Sequence, residues 1–101
     1  MAYEVRVSES AERDLNDILQ YITVSLFEPA AAGRFLKRIE ECYNQLSFNP
    51  FVYVLSTDTR LQSEGYRKVV IGKYLLMFTV EEKVVFIHRI FYGARDYSKF
   101  L

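Results

Sequence analysis

Gly65-Tyr66-Arg67-Lys68-Val69-Val70-Ile71 runs through a Gly72-Lys73 turn into Tyr74-Leu75-Leu76-Met77-Phe78-Thr79-Val80, and after Glu81-Glu82-Lys83 comes Val84-Val85-Phe86-Ile87-His88-Arg89-Ile90. β-Branched and aromatic residues fill all three runs, and the breaks between them are short and polar. The segment therefore reads as an antiparallel meander. It closes with Phe91-Tyr92-Gly93-Ala94-Arg95-Asp96-Tyr97, which adds aromatic and basic groups just beyond the last strand. A segment that is sheet-forming, cationic and apolar at once suggests a surface that meets another macromolecule.

Upstream of the meander the pattern changes to helical. Tyr3, Val5 and Val7 alternate with Glu4 and Arg6 as a short first strand. Ser8 or Ser10 offers an N-cap oxygen, and Ala11, Leu15, Ile18, Ile22 and Leu26 then form one apolar stripe of an amphipathic helix. Pro29 suits the first position of a second helix, whose buried stripe is Ala32, Phe35, Leu36, Ile39, Cys42, Tyr43 and Leu46. Asn49-Pro50 ends it, because a residue before proline is pushed out of the helical region. The gap at Phe27-Glu28 is short, so the helices form an antiparallel hairpin. Phe51 to Leu55 reads as a short strand and Ser56 to Gly65 as a polar loop. The expected fold class is α+β: an N-terminal strand, a two-helix hairpin, then a three- to four-stranded antiparallel meander, as a single domain over residues 1–101.

In the central strand Tyr74, Leu76, Phe78 and Val80 point one way, and Leu75, Met77 and Thr79 the other. In the next, Val84, Phe86, His88 and Ile90 share a face, opposite Val85, Ile87 and Arg89. The hairpin covers one face, and a sheet with one open face should alternate apolar and polar residues. Here the second face is apolar as well, so something covers it: the C-terminal tail, another copy, or a partner chain.

Composition narrows the chemistry. The formal net charge of zero divides into five basic and nine acidic residues over 1–59 against eight basic and four acidic over 60–101. A bipolar domain of this kind can present a cationic face to an acidic partner. The single Cys42 excludes an internal disulfide and fits a reducing compartment, and no apolar run approaches the ~20 residues of a membrane helix. With no signal-peptide pattern at the N-terminus, the expected location is cytoplasmic. One His and one Cys far apart make no metal-ligand cluster, the four glycines are too scattered to cradle a phosphate, and no cofactor is expected. What remains is Arg60, Arg67, Lys68, Lys73, Arg89 and Arg95 with Tyr66, Tyr74, Tyr92 and Tyr97, a set that can bind phosphates and stack bases and, with an acid or base of suitable pKa, cleave RNA.

The ordered motifs resemble the RelE/ParE superfamily of bacterial type II toxins. They are Ser8-x-x-Ala11-x-x-Asp14-Leu15-x-x-Ile18-x-x-Tyr21-Ile22, Pro29-x-x-Ala32, Leu46-x-x-x-Pro50, Arg60-x-x-x-x-Gly65-Tyr66-Arg67 and Ile87-x-Arg89-Ile90-x-x-Gly93-x-Arg95-Asp96-Tyr97. The resemblance implies a compact α+β toxin and a cognate antitoxin whose disordered tail folds over it, with operator DNA reached only through that antitoxin. It implies one of two targets: DNA gyrase, for ParE-like members, or mRNA in the ribosomal A site, for RelE-like members. In the RelE-type catalytic set, Arg67 stands for one basic residue and Arg95 for the late arginine. A second lysine falls at Val69, a strand arginine at Leu75 and the terminal tyrosine at Leu101, leaving Tyr92 or Tyr97 as shifted substitutes. The resemblance is therefore closer to the ParE-like branch. Its implied sites are Arg67, Arg95 and Tyr97 as catalytic candidates, Arg60, Arg67, Arg89, Tyr92 and Arg95 for the target, and Leu75, Met77 and Thr79, flanked by Arg67 and Arg89, for the antitoxin.

Overall fold

A computed structural model describes residues 2–93 and 97–101. Strand β1 (Glu4–Val7) leads into helix α1 (Glu9–Gln20), which runs on as a π turn (Tyr21–Ser25), and helix α2 (Pro29–Phe48) returns antiparallel to it. A 3₁₀ turn (Pro50–Val52) and a short helix α3 (Thr59–Ser63) precede β2 (Arg67–Ile71), β3 (Tyr74–Glu81) and β4 (Val84–Tyr92), and a last 3₁₀ turn spans Tyr97–Phe100. The four strands form one sheet in the order β1-β4-β3-β2. Both β2–β3 and β3–β4 pair antiparallel, while β1 joins β4 in parallel. A parallel neighbour requires a long crossover, which the helices and the β2–β3 hairpin supply.

Local chemistry sets the element ends. Ser8 is the N-cap: its Oγ accepts from the Ala11 amide at 3.0 Å and donates to the His88 carbonyl at 2.8 Å, and its own amide reaches the Ile87 carbonyl. One residue thus ends β1, starts α1 and holds both to β4. At the far end of α1, Leu26 N–H bonds Tyr21 O across five residues. The wider winding rotates Leu26 off the stripe, so Ile22 is its last buried member and Leu26 is exposed. On α2, Ala32, Phe35, Ile39, Cys42 and Leu46 are buried, whereas Leu36 falls on the exposed side. Burial pushes the Cys42 thiol up to about 12.

Two expectations need correction. Phe51 to Leu55 is not a strand: the Asn49 side chain accepts from the Phe51 amide, winding Pro50–Val52 into a 3₁₀ turn, and only Leu55 bridges to Arg67. The polar loop of 56–65 also contains α3, capped by Asp58, which carries the fully buried Leu61. Gly65 ends it at φ +83, a conformation open to glycine at little cost.

The decisive correction lies in β4. Met77 pairs with Arg89 but Phe78 pairs with Ile87, so His88 is an extra residue, a β-bulge. The bulge shifts the alternation by one. Val85, Ile87 and Ile90 all enter the main core under the helices, with Leu76 and Phe78 of β3, while Arg89 turns to the outer face with Phe91. Ile90 does not share a face with Phe86 and His88, as strict alternation required.

The outer face is not open along its length. Met77, fully buried, forms a satellite core with Leu61 and Phe91, packed by Tyr66 and Leu101. Here α3 and the C-terminal segment supply the cover, and Leu75 and Thr79 stay half-exposed. Among the described residues no helix is long and apolar enough to cross a membrane.

Past Val7, β4 has no strand neighbour on its β1 side, and a side chain replaces it. The Asp14 carboxylate accepts from the Ile90 amide at 2.9 Å and from the Arg89 guanidinium at 2.7 and 2.9 Å. Both side chains are mostly shielded, so losing the carboxylate strands a charged group and a backbone N–H. Asp14→Ala should therefore lower the unfolding free energy by about 2–3 kcal/mol, read from the urea midpoint at unchanged slope. Asp14→Asn, which keeps an acceptor for the Ile90 amide, should lose less. A loss below about 0.5 kcal/mol for Asp14→Ala, as for an ordinary surface change, would show the clamp to be dispensable.

Candidate functional site

The outer face of the sheet divides into a covered half and an open half. Over the covered half, Arg89, already held by Asp14, lies 4.8 Å from the Phe91 ring and 5.6 Å from the Phe100 ring. The two rings pack against each other at 5.6 Å. Arg60 grips the same C-terminal segment from the α3 side, donating to the Ser98 and Leu101 carbonyls at 2.8 and 2.9 Å and pairing with Glu64 at 2.8 Å. Two arginines expected at a target surface are thus braces for the last residues of the chain. The Asp14 hydrogen bond is the main cause of the raised Arg89 pKa, against opposing desolvation.

Arg67 lies on the other face. It shares the parity of the buried Val69 and Ile71 on β2, donates to the Tyr53 carbonyl at 2.6 Å and stacks over Phe51 at 5.0 Å. Arg67 and Arg89 therefore do not flank one patch. Among the described residues no hydrogen bond or ion pair joins Arg60, Arg67 and Arg89 to one another. Arg95 lies outside the described residues. Tyr97 opens the final 3₁₀ turn.

On the open half the bulge presents His88. Its Nε2 is 2.8 Å from Thr79 Oγ1, and its ring lies 4.9 Å from that of Tyr66. Burial lowers the His88 pKa and raises that of Tyr66, so the imidazole favours its neutral form and the phenol keeps its proton. Leu75, Met77 and Thr79 do share this side of the sheet, but Met77 contributes from beneath the satellite core. The sequence shows no sign of the His88–Thr79–Tyr66 group, because the register of β3 against β4 and the position of Tyr66 are set by tertiary structure. Among the described residues no cluster of three metal-ligating side chains occurs.

Tyr92 belongs to a separate region, beside the end of the helix hairpin. Its ring meets Tyr74 edge-on at 5.8 Å, and both line a groove of about 610 Å³ with Ile18, Tyr21, Leu26 and Lys73. A second groove of about 450 Å³ shares Leu26, Lys73 and Tyr74 and adds Phe35, Arg34 and Arg38. The Arg38 guanidinium lies against the β2–β3 turn, where a Cβ on Gly72 would approach it to 3.3 Å. Gly93 is held close to the same turn by the hydrogen bond that its N–H donates to Lys73 O at 2.7 Å, and a Cβ there would sit 3.1 Å from that oxygen.

Residues 5–97 match the family model described as ParE toxin of type II toxin-antitoxin system, parDE. Searching curated proteins gives no match. Among solved structures, the fold is similar to a chain of a chromosomal ParDE toxin–antitoxin system from P. aeruginosa, at TM-score 0.72 and 21% identity over 90% of this chain and 96% of that one. It is also similar to a chain of the RelBE2 toxin–antitoxin complex from Mycobacterium tuberculosis, at TM-score 0.62 and 21% identity over 91% and 99%. A third likeness is to a chain of an archaeal RelE–RelB complex from Pyrococcus horikoshii OT3, at TM-score 0.61 and 17% identity over 94% and 99%.

A lowered His88 pKa carries a stability signature. The unfolded chain binds a proton near pH 6.5 and the native chain only at lower pH. The stabilisation is therefore complete above pH 6.5 and is lost as pH falls through the native pKa. The melting temperature should decline on acidification below pH 6.5 more steeply for the native sequence than for His88→Gln. Parallel profiles for the two proteins would mean that His88 is not shielded.

Proposed function

The chain belongs to the ParE toxin family of type II toxin–antitoxin systems, and from that premise we propose that it arrests growth by binding and inhibiting DNA gyrase until a cognate antitoxin neutralises it. The observation that carries the choice of target is the engagement of its cations. Arg60, Arg67 and Arg89 are each tied to backbone carbonyls or to Asp14. Val69, where a RelE-type lysine would stand, is buried in the main core, and Leu75 stands where that set has its strand arginine. RNA cleavage needs cations aimed at the phosphate on which charge develops. Inhibition by binding needs a complementary surface and no such constellation.

The antitoxin segment we place on the outer face, beside the half-exposed Leu75 and Thr79. Its neighbours there are Tyr66 and the Arg89 brace, with Arg67 reached only round the β2 edge. The structural relatives are themselves components of toxin–antitoxin systems, which supports a protein partner of this kind. A folding-on-binding segment would bury Leu75 and add to the cover that α3 and the C-terminal segment begin. Met77, already buried, anchors the platform.

A second reading, ribosome-dependent mRNA cleavage, draws on one observation: His88 and Tyr66 stand together on the open half of the sheet. The two readings separate cleanly. Purified protein added to gyrase and relaxed plasmid should block supercoiling or trap cleaved DNA, and cells expressing it should show no codon-phased mRNA ends. Codon-phased cuts within minutes of induction, with supercoiling unaffected, would establish the ribonuclease instead.

Arg95 is the residue proposed for activity under either target, on sequence grounds. It follows Gly93 where the chain leaves β4, and a guanidinium grips carboxylate or phosphate in a bidentate manner that lysine cannot reproduce. Arg95→Ala should abolish growth arrest with the melting temperature nearly unchanged, since a surface ion pair is worth only ~0–1 kcal/mol. Intact toxicity, or an unfolded protein, would make Arg95 part of the scaffold.

A further inference from the structure

The helix hairpin turns at Phe27, and this residue is anomalous in two independent ways. Its φ is +54, a left-handed backbone conformation that a bulky side chain rarely adopts. It is also 85% exposed, the most exposed of the large apolar side chains. The backbone accounts for the first anomaly. Glu28 N–H bonds Ile22 O and Leu26 N–H bonds Tyr21 O, closing the wide end of the α1 segment, and the residue between them must reverse the chain. Glycine or asparagine normally fills that place. A phenylalanine there strains the backbone and leaves an aromatic ring in water, so no contribution to folding accounts for it. Strained residues of this kind concentrate where structure serves binding.

The surroundings indicate what the ring meets. Tyr21, Val24 and Leu26, within six residues of it in the chain, are all substantially exposed, a concentration of exposed apolar side chains of the sort that marks protein interfaces. The two grooves lined by the neighbouring Leu26 carry Arg34, Arg38 and Lys73 against Glu28 and Asp17, an excess of positive charge, and none of the three cations is within ion-pairing distance of a carboxylate among the described residues. An aromatic anchor beside unpaired cations complements an apolar pocket with an acidic rim.

We propose that Phe27 is the anchor by which this chain grips its protein target, its ring filling an apolar pocket whose carboxylate rim pairs with Lys73, Arg34 and Arg38. The inference rests on the reading of the chain as a toxin that acts by binding. It assigns the end of the helix hairpin to the target and the outer face of the sheet to the antitoxin.

The test uses Phe27→Gly and Phe27→Asn, both compatible with a positive φ, so that the fold is retained. Their melting temperatures should equal or exceed that of the native chain. Both should need at least about tenfold more protein to inhibit gyrase supercoiling, as for loss of a hot-spot side chain, and both should fail to arrest growth at matched expression. Unchanged inhibition of gyrase by either variant overturns the proposal and leaves the gyrase reading intact. If the native chain itself does not inhibit gyrase, that reading fails and growth arrest decides: arrest lost in the variants supports the anchor, and arrest retained overturns it. Unchanged arrest accompanied by loss of self-association, or of the antitoxin that co-purifies with the tagged chain, assigns the ring to that partner and likewise overturns the proposal.

Discussion

One carboxylate, that of Asp14, holds the two halves of this molecule in register. β1 stops opposite Ile87, leaving the rest of β4 as an open edge inside the fold. Water would have to reach the Ile90 amide if nothing else did, and a buried N–H without a partner is strongly disfavoured. Asp14 reaches across from α1, satisfies that amide and fixes the Arg89 guanidinium with its other contacts. The closure of the edge and the aim of Arg89 are therefore consequences of one side chain, which adds to the hold of Ser8 and the apolar stripe on α1. Because Arg89 lies over Phe91 and Phe100, the carboxylate also acts at one remove on how the C-terminal segment seats on the sheet.

The bulge at His88 is the second constraint, and it makes the first possible. Without an extra residue in β4, strict alternation would send Arg89 into the main core with Ile87 and put Ile90 on the outer face. With it, apolar residues on both sides of the bulge enter the same core, and the charged residue turns out to meet Asp14. The half-buried His88 at this irregularity stands next to Thr79 and Tyr66. Bulges often re-aim a side chain in this way beside a functional surface.

How much of this can be read from the chain alone follows from the range of the forces. Ser8 as cap, Pro29 opening α2 and Asn49-Pro50 closing it depend on near neighbours and are visible in the sequence. So are the meander and the helix stripes, where periodicity suffices. Long-range facts are not. Asp14 lies 76 residues from the amide it caps, and in the sequence it is one of several acids at the start of a helix. Leu61 is a single apolar residue among polar ones, and only the sheet above it makes it core. The bulge adds one residue without disturbing the composition of β4. For the candidate site, the arginines could be named, but which are engaged depends on carbonyls and carboxylates that tertiary structure alone brings near. Phe27 gave no signal, because an exposed aromatic and a strained one look alike on paper.

Arg60, Arg67 and Arg89 are tied to backbone carbonyls or to Asp14, whereas Arg34, Arg38 and Lys73 beside the hairpin form no ion pair among the described residues. All of this presupposes that the β4 edge is closed by Asp14 as firmly as by a strand. Native-state hydrogen exchange at the Ile90 amide tests that most directly. The account predicts exchange only through global unfolding, with protection equal to that of Leu76 and Ile87 in the core. Exchange at the rapid rate expected for the Val70 amide, on the outer edge of β2, would contradict it.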